Sequence, residues 1–256
     1  MSMAILDLFS LKGKNALITG SSQGLGAGMA IAFAQAGANV TLHGRNSVAD
    51  STVDEVRKTG VNSISVTGDV CDPAVCTRLV DETVKAFGSI DILVNNAGTI
   101  RRAPAAEHSQ EFWSTVIETN LNSVFRLSQY AGTKMLAQGS GKIINIASML
   151  TFQGGILVPS YAAAKGAVGQ LTKALANEWA ARGVNVNAIA PGYMETANTA
   201  PLRADEERSK AILSRIPAGR WGLPSDLAGA AIFLASAASN YVHGHILVVD
   251  GGWLCR

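Results

Sequence analysis

The segment NALITGSSQGLGAGMAIAFAQAG, Asn15 to Gly37, carries three signals in a fixed order. NALI is short, apolar and closed by a turn, which reads as a buried strand. Glycines at 20, 24 and 26 then permit a tight turn and let the backbone approach a ligand closely. A run of small apolar residues follows and suits a helix packed on a sheet. The first N–H groups of a helix lack partners and its dipole is positive there, so a pyrophosphate is held well at such a turn. Glycine clusters occur in many loops; the strand before and the helix after make dinucleotide binding the expected reading here.

Outward from this segment the same rhythm repeats. Strands are expected at NVTLHG (39–44), SISVTGDV (63–70), DILVNN (91–96), KIINIAS (142–148), VNVNAIA (184–190) and HILVVDGG (245–252). Most are apolar on both faces, as a sheet covered by helices on each side requires. Helices are expected over PAVCTRLVDETVKAFG (73–88) and, as one long element, QEFWSTVIETNLNSVFRLSQYAGTKMLAQ (110–138). The alternation predicts an α/β fold: a Rossmann-like, doubly wound parallel sheet of about seven strands with helices on both faces. No linker, low-complexity tract or repeat interrupts it, so residues 1–256 read as a single domain. The segment Tyr193–Arg220 fits the alternation least and is expected to hold one or two short helices forming a substrate lid.

Composition narrows the function. Of 256 residues 48% are hydrophobic and 16% charged, enough apolar material for a large core, and the net charge of +2 gives no electrostatic case for nucleic acid or an anionic membrane. MSMAILDLFSLKGKN has no basic region ahead of its apolar residues and no long apolar core, so it does not read as a secretion signal. The apolar run LAGAAIFLASAA, Leu227 to Ala238, is too short to span a bilayer and fits a buried helix. Cys71, Cys76 and Cys255 form no CxxC pair, which suggests inert thiols in a reducing cytoplasm. His243 and His245 alternate at strand spacing without a third ligand nearby, so no metal site is expected.

The chemistry concentrates in SYAAAKGAVGQ (160–170), where Tyr161 stands one helical turn before Lys165 with three alanines between. A cation beside a phenol favours the phenolate, and a phenol tuned that way works as a general acid or base. At the end of the second expected strand, the position where an acid would meet the ribose hydroxyls is Gly44, and Arg45 follows. An arginine suits a 2′-phosphate, so NADP(H) is favoured over NAD(H). Asp69, expected to close the third strand, could meet the adenine edge or cap the helix that begins near Pro73.

Taken together, TGSSQGLG (19–26), NNAG (95–98), Asn120 in TNLNSVF, Ser148 in INIAS, YAAAK (161–165) and PGYMET (191–196) resemble the ordered motifs of the short-chain dehydrogenases/reductases over essentially the whole chain. The resemblance implies an NAD(P)-dependent enzyme with a catalytic tetrad of Asn120, Ser148, Tyr161 and Lys165. Ser148 would bond the substrate oxygen, Tyr161 would pass it a proton, Lys165 would lower the Tyr161 pKa and hold the nicotinamide ribose, and Asn120 would place a water leading to Lys165. The cofactor would be held by Gly20, Ser22, Gln23, Gly24, Leu25, Gly26, Arg45, Asp69, Val70, Asn96, Ala97, Gly98, Tyr161, Lys165, Pro191, Gly192 and Thr196. A homotetramer is also implied.

The second half is similar to the 2-dehydro-3-deoxy-D-gluconate 5-dehydrogenases and their gluconate dehydrogenase relatives, through IINIASMLTFQGGILVPSYAAAKGA, APGYMETANT and RIPAGRWGLPSDLAGAAIFLAS. That implies hydride transfer at a secondary alcohol or ketone of a sugar acid. Substrate-side candidates are Ser148, Tyr161, Gln153, Tyr193, Arg101 and Arg102, since a guanidinium binds a carboxylate with two hydrogen bonds. Asn198 and Arg203 stand on the same loops, and Met149 is expected to pack. The alternatives are a ketoreductase of another substrate class, such as 3-oxoacyl thioesters, and a non-catalytic dinucleotide-binding protein.

Overall fold

The computed structural model describes residues 4–256. Seven strands, β1 (Asn15–Ile18), β2 (Asn39–Gly44), β3 (Ser63–Thr67), β4 (Ile92–Asn95), β5 (Gly141–Ile146), β6 (Val184–Pro191) and β7 (Ile246–Val249), stand where the sequence predicts them. They form one sheet in the order β3-β2-β1-β4-β5-β6-β7, with every pairing parallel. The helices are α1 (Gly24–Gln35), α2 (Asp50–Arg57), α3 (Pro73–Phe87), α4 (Gln110–Ile117), α5 (Ser123–Gln138), α6 (Pro159–Trp179), α7 (Ala200–Ala204), α8 (Glu206–Leu213) and α9 (Ala228–Ala235).

The central strands β1, β4 and β6 are buried along their whole length, and the asparagines among their apolar residues, Asn15, Asn95, Asn185 and Asn187, are buried with them. The edge strands β3 and β7 are half-exposed. One core joins the sheet to α1, α2 and α9 around Met29, Phe33, Val56 and Leu234. The other joins it to α3, α5 and α6 around Leu79, Leu127, Met135 and Trp179. The apolar run from Leu227 accordingly ends a 3₁₀ turn and forms α9, against α1. Among the described residues no helix is long and apolar enough to cross a membrane.

Two local departures bear on the site. The expected helix 110–138 is broken by a π-helical turn, Glu118–Asn122, which holds Asn120 and separates α4 from α5. A π-turn inserts one residue too many for the i→i−4 ladder, and hydropathy periodicity does not register it. The segment after β6 holds a 3₁₀ turn (Ala197–Thr199), α7 and α8, the last two parted at Asp205, whose carboxylate caps α8 by accepting from the Arg208 N–H at 3.0 Å. Ile212 and Ile216 fasten this segment to Met149, Trp221 and Trp253 in a separate apolar cluster.

Candidate active site

The chain leaves β1 and β4 toward opposite faces of the sheet, so a crevice opens beyond their carboxyl ends. It measures ≈ 460 Å³. One wall is the glycine turn, where Gly20 and Gly24 take φ of +63° and +60°. A Cβ on Gly26 would lie 2.3 Å from the Gly20 carbonyl oxygen and 2.5 Å from Asn96 Nδ2. Gly26 therefore acts beneath the turn, letting α1 close on it, and does not line the crevice. Asn96 Nδ2 donates to the carbonyls of Thr19 (2.8 Å) and Gly20 (3.1 Å), and the Thr19 hydroxyl accepts from the N–H groups of Asn96 and Ala97, both at 3.0 Å. NNAG and TGSSQGLG are thus one hydrogen-bonded unit. Bare backbone at the start of α1, where Gly24 lines the crevice without a side chain, fits a pyrophosphate.

Ser22, Gln23, Leu25, Arg45, Asp69, Val70, Asn96, Ala97, Gly98, Tyr161, Lys165 and Thr196 all line the same crevice. Pro191 and Gly192 do not; they close β6 against β7, where the Gly192 N–H bonds the Val249 carbonyl at 2.9 Å and a Cβ would meet Asp250 Cα at 2.5 Å. At the end of β2, a Cβ on Gly44 would fall 1.9 Å from the Ser47 carbonyl oxygen, so no side chain fits there. The neighbouring Arg45 is mostly exposed and its Nη2 lies 2.8 Å from Asp69 Oδ2. Burial works against ionisation of Asp69, but the Cys71 N–H and the Arg45 guanidinium outweigh it and hold the carboxyl below its ordinary value. Asp69 lies beyond the end of β3, and the cap of α3 is Asp72, which accepts from the Ala74 N–H at 2.8 Å; the capping role considered for Asp69 is excluded.

The tetrad residues converge from three elements. Ser148, 9% exposed, follows β5 and its hydroxyl accepts from the Leu150 N–H at 3.2 Å. That leaves its proton free to donate. Tyr161 and Lys165 stand on α6, with Lys165 Nζ 5.7 Å from the Tyr161 ring centre and donating to the Ile146 carbonyl at 2.5 Å. Burial pushes the Tyr161 pKa up, and a hydrogen bond from Ser148 and the charge of Arg102 offset it only in part. Burial brings Lys165 down to about 8. The expectation that Lys165 lowers the phenol's pKa is therefore not met: its ammonium is turned to a backbone carbonyl and is itself desolvated. The side-chain Oδ1 of Asn120 accepts from the Thr99 N–H and its Nδ2 donates to the Thr99 carbonyl, both at 2.8 Å, so this amide ties down the loop after NNAG.

The two arginines separate. Arg101 lines the crevice, tied to the Thr99 hydroxyl at 3.1 Å and the Ile100 carbonyl at 3.2 Å. Arg102 reaches across to the carbonyl of Asn198 at 3.4 Å and acts electrostatically on both Tyr161 and Tyr193. Tyr193 packs edge-on against Trp221 and Trp253 and borders a second cavity of ≈ 230 Å³. Gln153 Oε1 accepts from Trp253 Nε1 at 3.4 Å. Arg203 is occupied within its own segment, by Glu195 at 3.5 Å and the Thr196 carbonyl at 3.4 Å. Met149 packs, as expected.

Sequence reasoning missed three participants. Arg215 stacks 4.0 Å over the Trp253 ring, and it and Arg208 join Arg102 in opposing the rise that burial imposes on the Tyr193 pKa. His43 joins the glycine turn to the residues after β3. No local pattern marks these residues, because each acts through a partner distant in sequence. Among the described residues no cluster of three or more His, Cys, Asp or Glu could hold a metal.

Comparison with known proteins places this geometry in context. Residues 20–254 match the family described as enoyl-(acyl carrier protein) reductase. The chain is 56% identical over 254 residues to the 2-dehydro-3-deoxy-D-gluconate 5-dehydrogenase of Dickeya dadantii (strain 3937), covering 98% of this chain and all of that one. A solved Agrobacterium tumefaciens structure with bound NADP is 55% identical, with a TM-score of 0.92, over 98% of this chain and 100% of that one. The gluconate 5-dehydrogenase of Burkholderia cenocepacia J2315, solved with NADP and tartrate, is 42% identical with a TM-score of 0.94, over 99% and 100%.

Proposed function

The chain belongs to the short-chain dehydrogenase/reductase family, and from that premise we propose that it transfers a hydride between a nicotinamide dinucleotide and a secondary alcohol or ketone of a sugar acid. The observation that carries the reading is the opening of Tyr161 and Lys165 onto the crevice that holds the glycine turn, with the Ser148 hydroxyl just after the end of β5 beside them. The dinucleotide, when bound, supplies or accepts the hydride. The glycine turn, Asn96, Ala97 and Gly98 would hold it, and Lys165 would reach its ribose.

Tyr161 would give its proton to the carbonyl oxygen in reduction and take it back in oxidation. Ser148, with its single free proton, would donate to the same oxygen. Asn120, clasping Thr99, would fix the loop that presents Arg101 and Arg102. Arg102 is positioned to meet the carboxylate, since it reaches the segment after β6 and acts on Tyr161 as well. Tyr193–Arg220 would form the lid.

Arg45 at the crevice mouth and the absence of room for an acid at Gly44 support NADP(H) over NAD(H), as do the NADP-bound relatives. Assembly as a homotetramer has support in the exposure of Trp113 and Phe125 on α4 and α5 and in the open edge at β7. Three free cysteines suit a reducing cytoplasm.

The test follows nicotinamide absorbance with 2-dehydro-3-deoxy-D-gluconate and gluconate, each with NADP⁺ and NAD⁺. Reduction of NADP⁺ in preference to NAD⁺ supports the whole reading. No reduction with either acid would overturn the substrate class, and a Tyr161→Phe variant as active as the parent would remove the proton-transfer role.

A further inference from the structure

His43, next to last in β2, is 2% exposed, yet both ring nitrogens are engaged. Nδ1 accepts from the Gly20 N–H at 3.0 Å, and Nε2 lies 2.9 Å from the Gly68 carbonyl oxygen. One neutral tautomer satisfies both contacts, with the proton on Nε2. The backbone repeats the tie: the His43 N–H donates to Ser21 Oγ and the Ser21 N–H to the His43 carbonyl, each at 2.8 Å. Gly20 and Gly68, with φ of +63° and +151°, belong to the two loops that wall the adenosine side of the crevice. The imidazole is the side chain that spans them.

A second proton would change the sign of one contact. On Nδ1 it would set an N–H against the N–H of Gly20, and the turn would have to move or lose its bond. The surroundings already oppose that proton: burial lowers the His43 pKa and Arg78 acts the same way, while the Gly68 carbonyl and Asp69 favour the charged ring. Arg45 is paired to Asp69 and draws on the same carboxylate.

We infer that His43 is a positioning residue for the adenosine half of the cofactor crevice, and that a second proton on its ring releases the glycine turn from the loop after β3 and weakens dinucleotide binding. The inference rests on the reading of the crevice as a dinucleotide site. It concerns binding, independently of which substrate is turned over.

The experiment titrates tryptophan fluorescence with NAD⁺, whose pyrophosphate does not change charge in this range, at intervals from pH 8 to pH 5. The parent is compared with His43→Asn, which keeps an acceptor toward Gly20 and cannot titrate, and with His43→Gln, which keeps a donor toward Gly68 and lacks the acceptor. The parent Kd should rise toward the acid end of the range, while both variants show no such step and His43→Gln is weaker throughout. Nitrogen-15 NMR of the parent ring, independent of how the variants fold, should show the Nε2–H tautomer and a pKa that falls further on NAD⁺ binding, as linkage requires. A parent step that persists in His43→Asn, or a His43 pKa unmoved by NAD⁺, overturns the inference. No NAD⁺ or NADP⁺ binding by the parent at pH 8 overturns the dinucleotide reading as well.

Discussion

Replacing Lys165 by methionine should raise the stability of the folded protein while abolishing its chemistry. Lys165 is 4% exposed, makes no ion pair among the described residues, and burial lowers its pKa from 10.5 to about 8. At ~1.4 kcal/mol for each tenfold change in proton affinity, keeping it charged at pH 7 costs the native state roughly 3 kcal/mol relative to the unfolded chain. Lys165→Met keeps most of the apolar stem and removes the charge. It also leaves the Ile146 carbonyl without its donor, a loss of about 1 kcal/mol. The net gain of about 2 kcal/mol corresponds to a Tm rise of roughly 5 °C for a chain of this length.

The pH dependence makes this prediction sharper. Between about 8 and 10.5 the unfolded chain still holds the Lys165 proton and the native state has released it, so parent stability rises with pH through that window. The variant has no such group, so its advantage should be full at pH 7 and shrink toward pH 10. Urea denaturation of both proteins at pH 7 and pH 9.5 measures this, with nicotinamide absorbance recording a loss of turnover of at least about 10²-fold. A variant less stable than the parent at pH 7, or an advantage that does not change with pH, would refute the account of Lys165 as a desolvated ammonium held by a backbone carbonyl alone.

Gly44→Asp should not convert the crevice to NAD⁺: with a Cβ 1.9 Å from the Ser47 carbonyl oxygen, the loop has to shift, and a melt should show destabilisation of roughly 2 kcal/mol. A well-folded variant that prefers NAD⁺ would count against the steric argument. Gly26→Ala drives a methyl into the Gly20 carbonyl and Asn96 Nδ2, so the NADP⁺ Kd from fluorescence titration should rise at least about tenfold, with the Asn96 bonds lost. Arg102→Leu should raise KM for an acidic sugar by roughly ten- to a hundredfold and leave KM for an uncharged polyol nearly unchanged; equal effects on both would place the carboxylate elsewhere.

The sheet is legible because its signals are local: the strands are short, β-branched or apolar segments bounded by turn-forming residues, and the glycine turn lies next in sequence to the strand and helix that give it meaning. The order of strands across the sheet then follows from parallel crossovers on two faces. What the sequence did not disclose depends on partners far along the chain. Asn120 was read as lying within a regular helix, but Thr99 takes both ends of its amide and a π-turn carries it. His43 is one strand residue among several in sequence, and its ring takes a role only from Gly20 and Gly68 on either side of it. The Tyr161–Lys165 pair shows the limit most clearly. A spacing of four brings two side chains to one helix face, and that much holds. Spacing says nothing of the dielectric around them or of where the ammonium points. Burial by surrounding elements, with the Ile146 carbonyl of β5 as the ammonium's partner, sets both pKa directions, and it raises the phenol where the isolated pair would lower it.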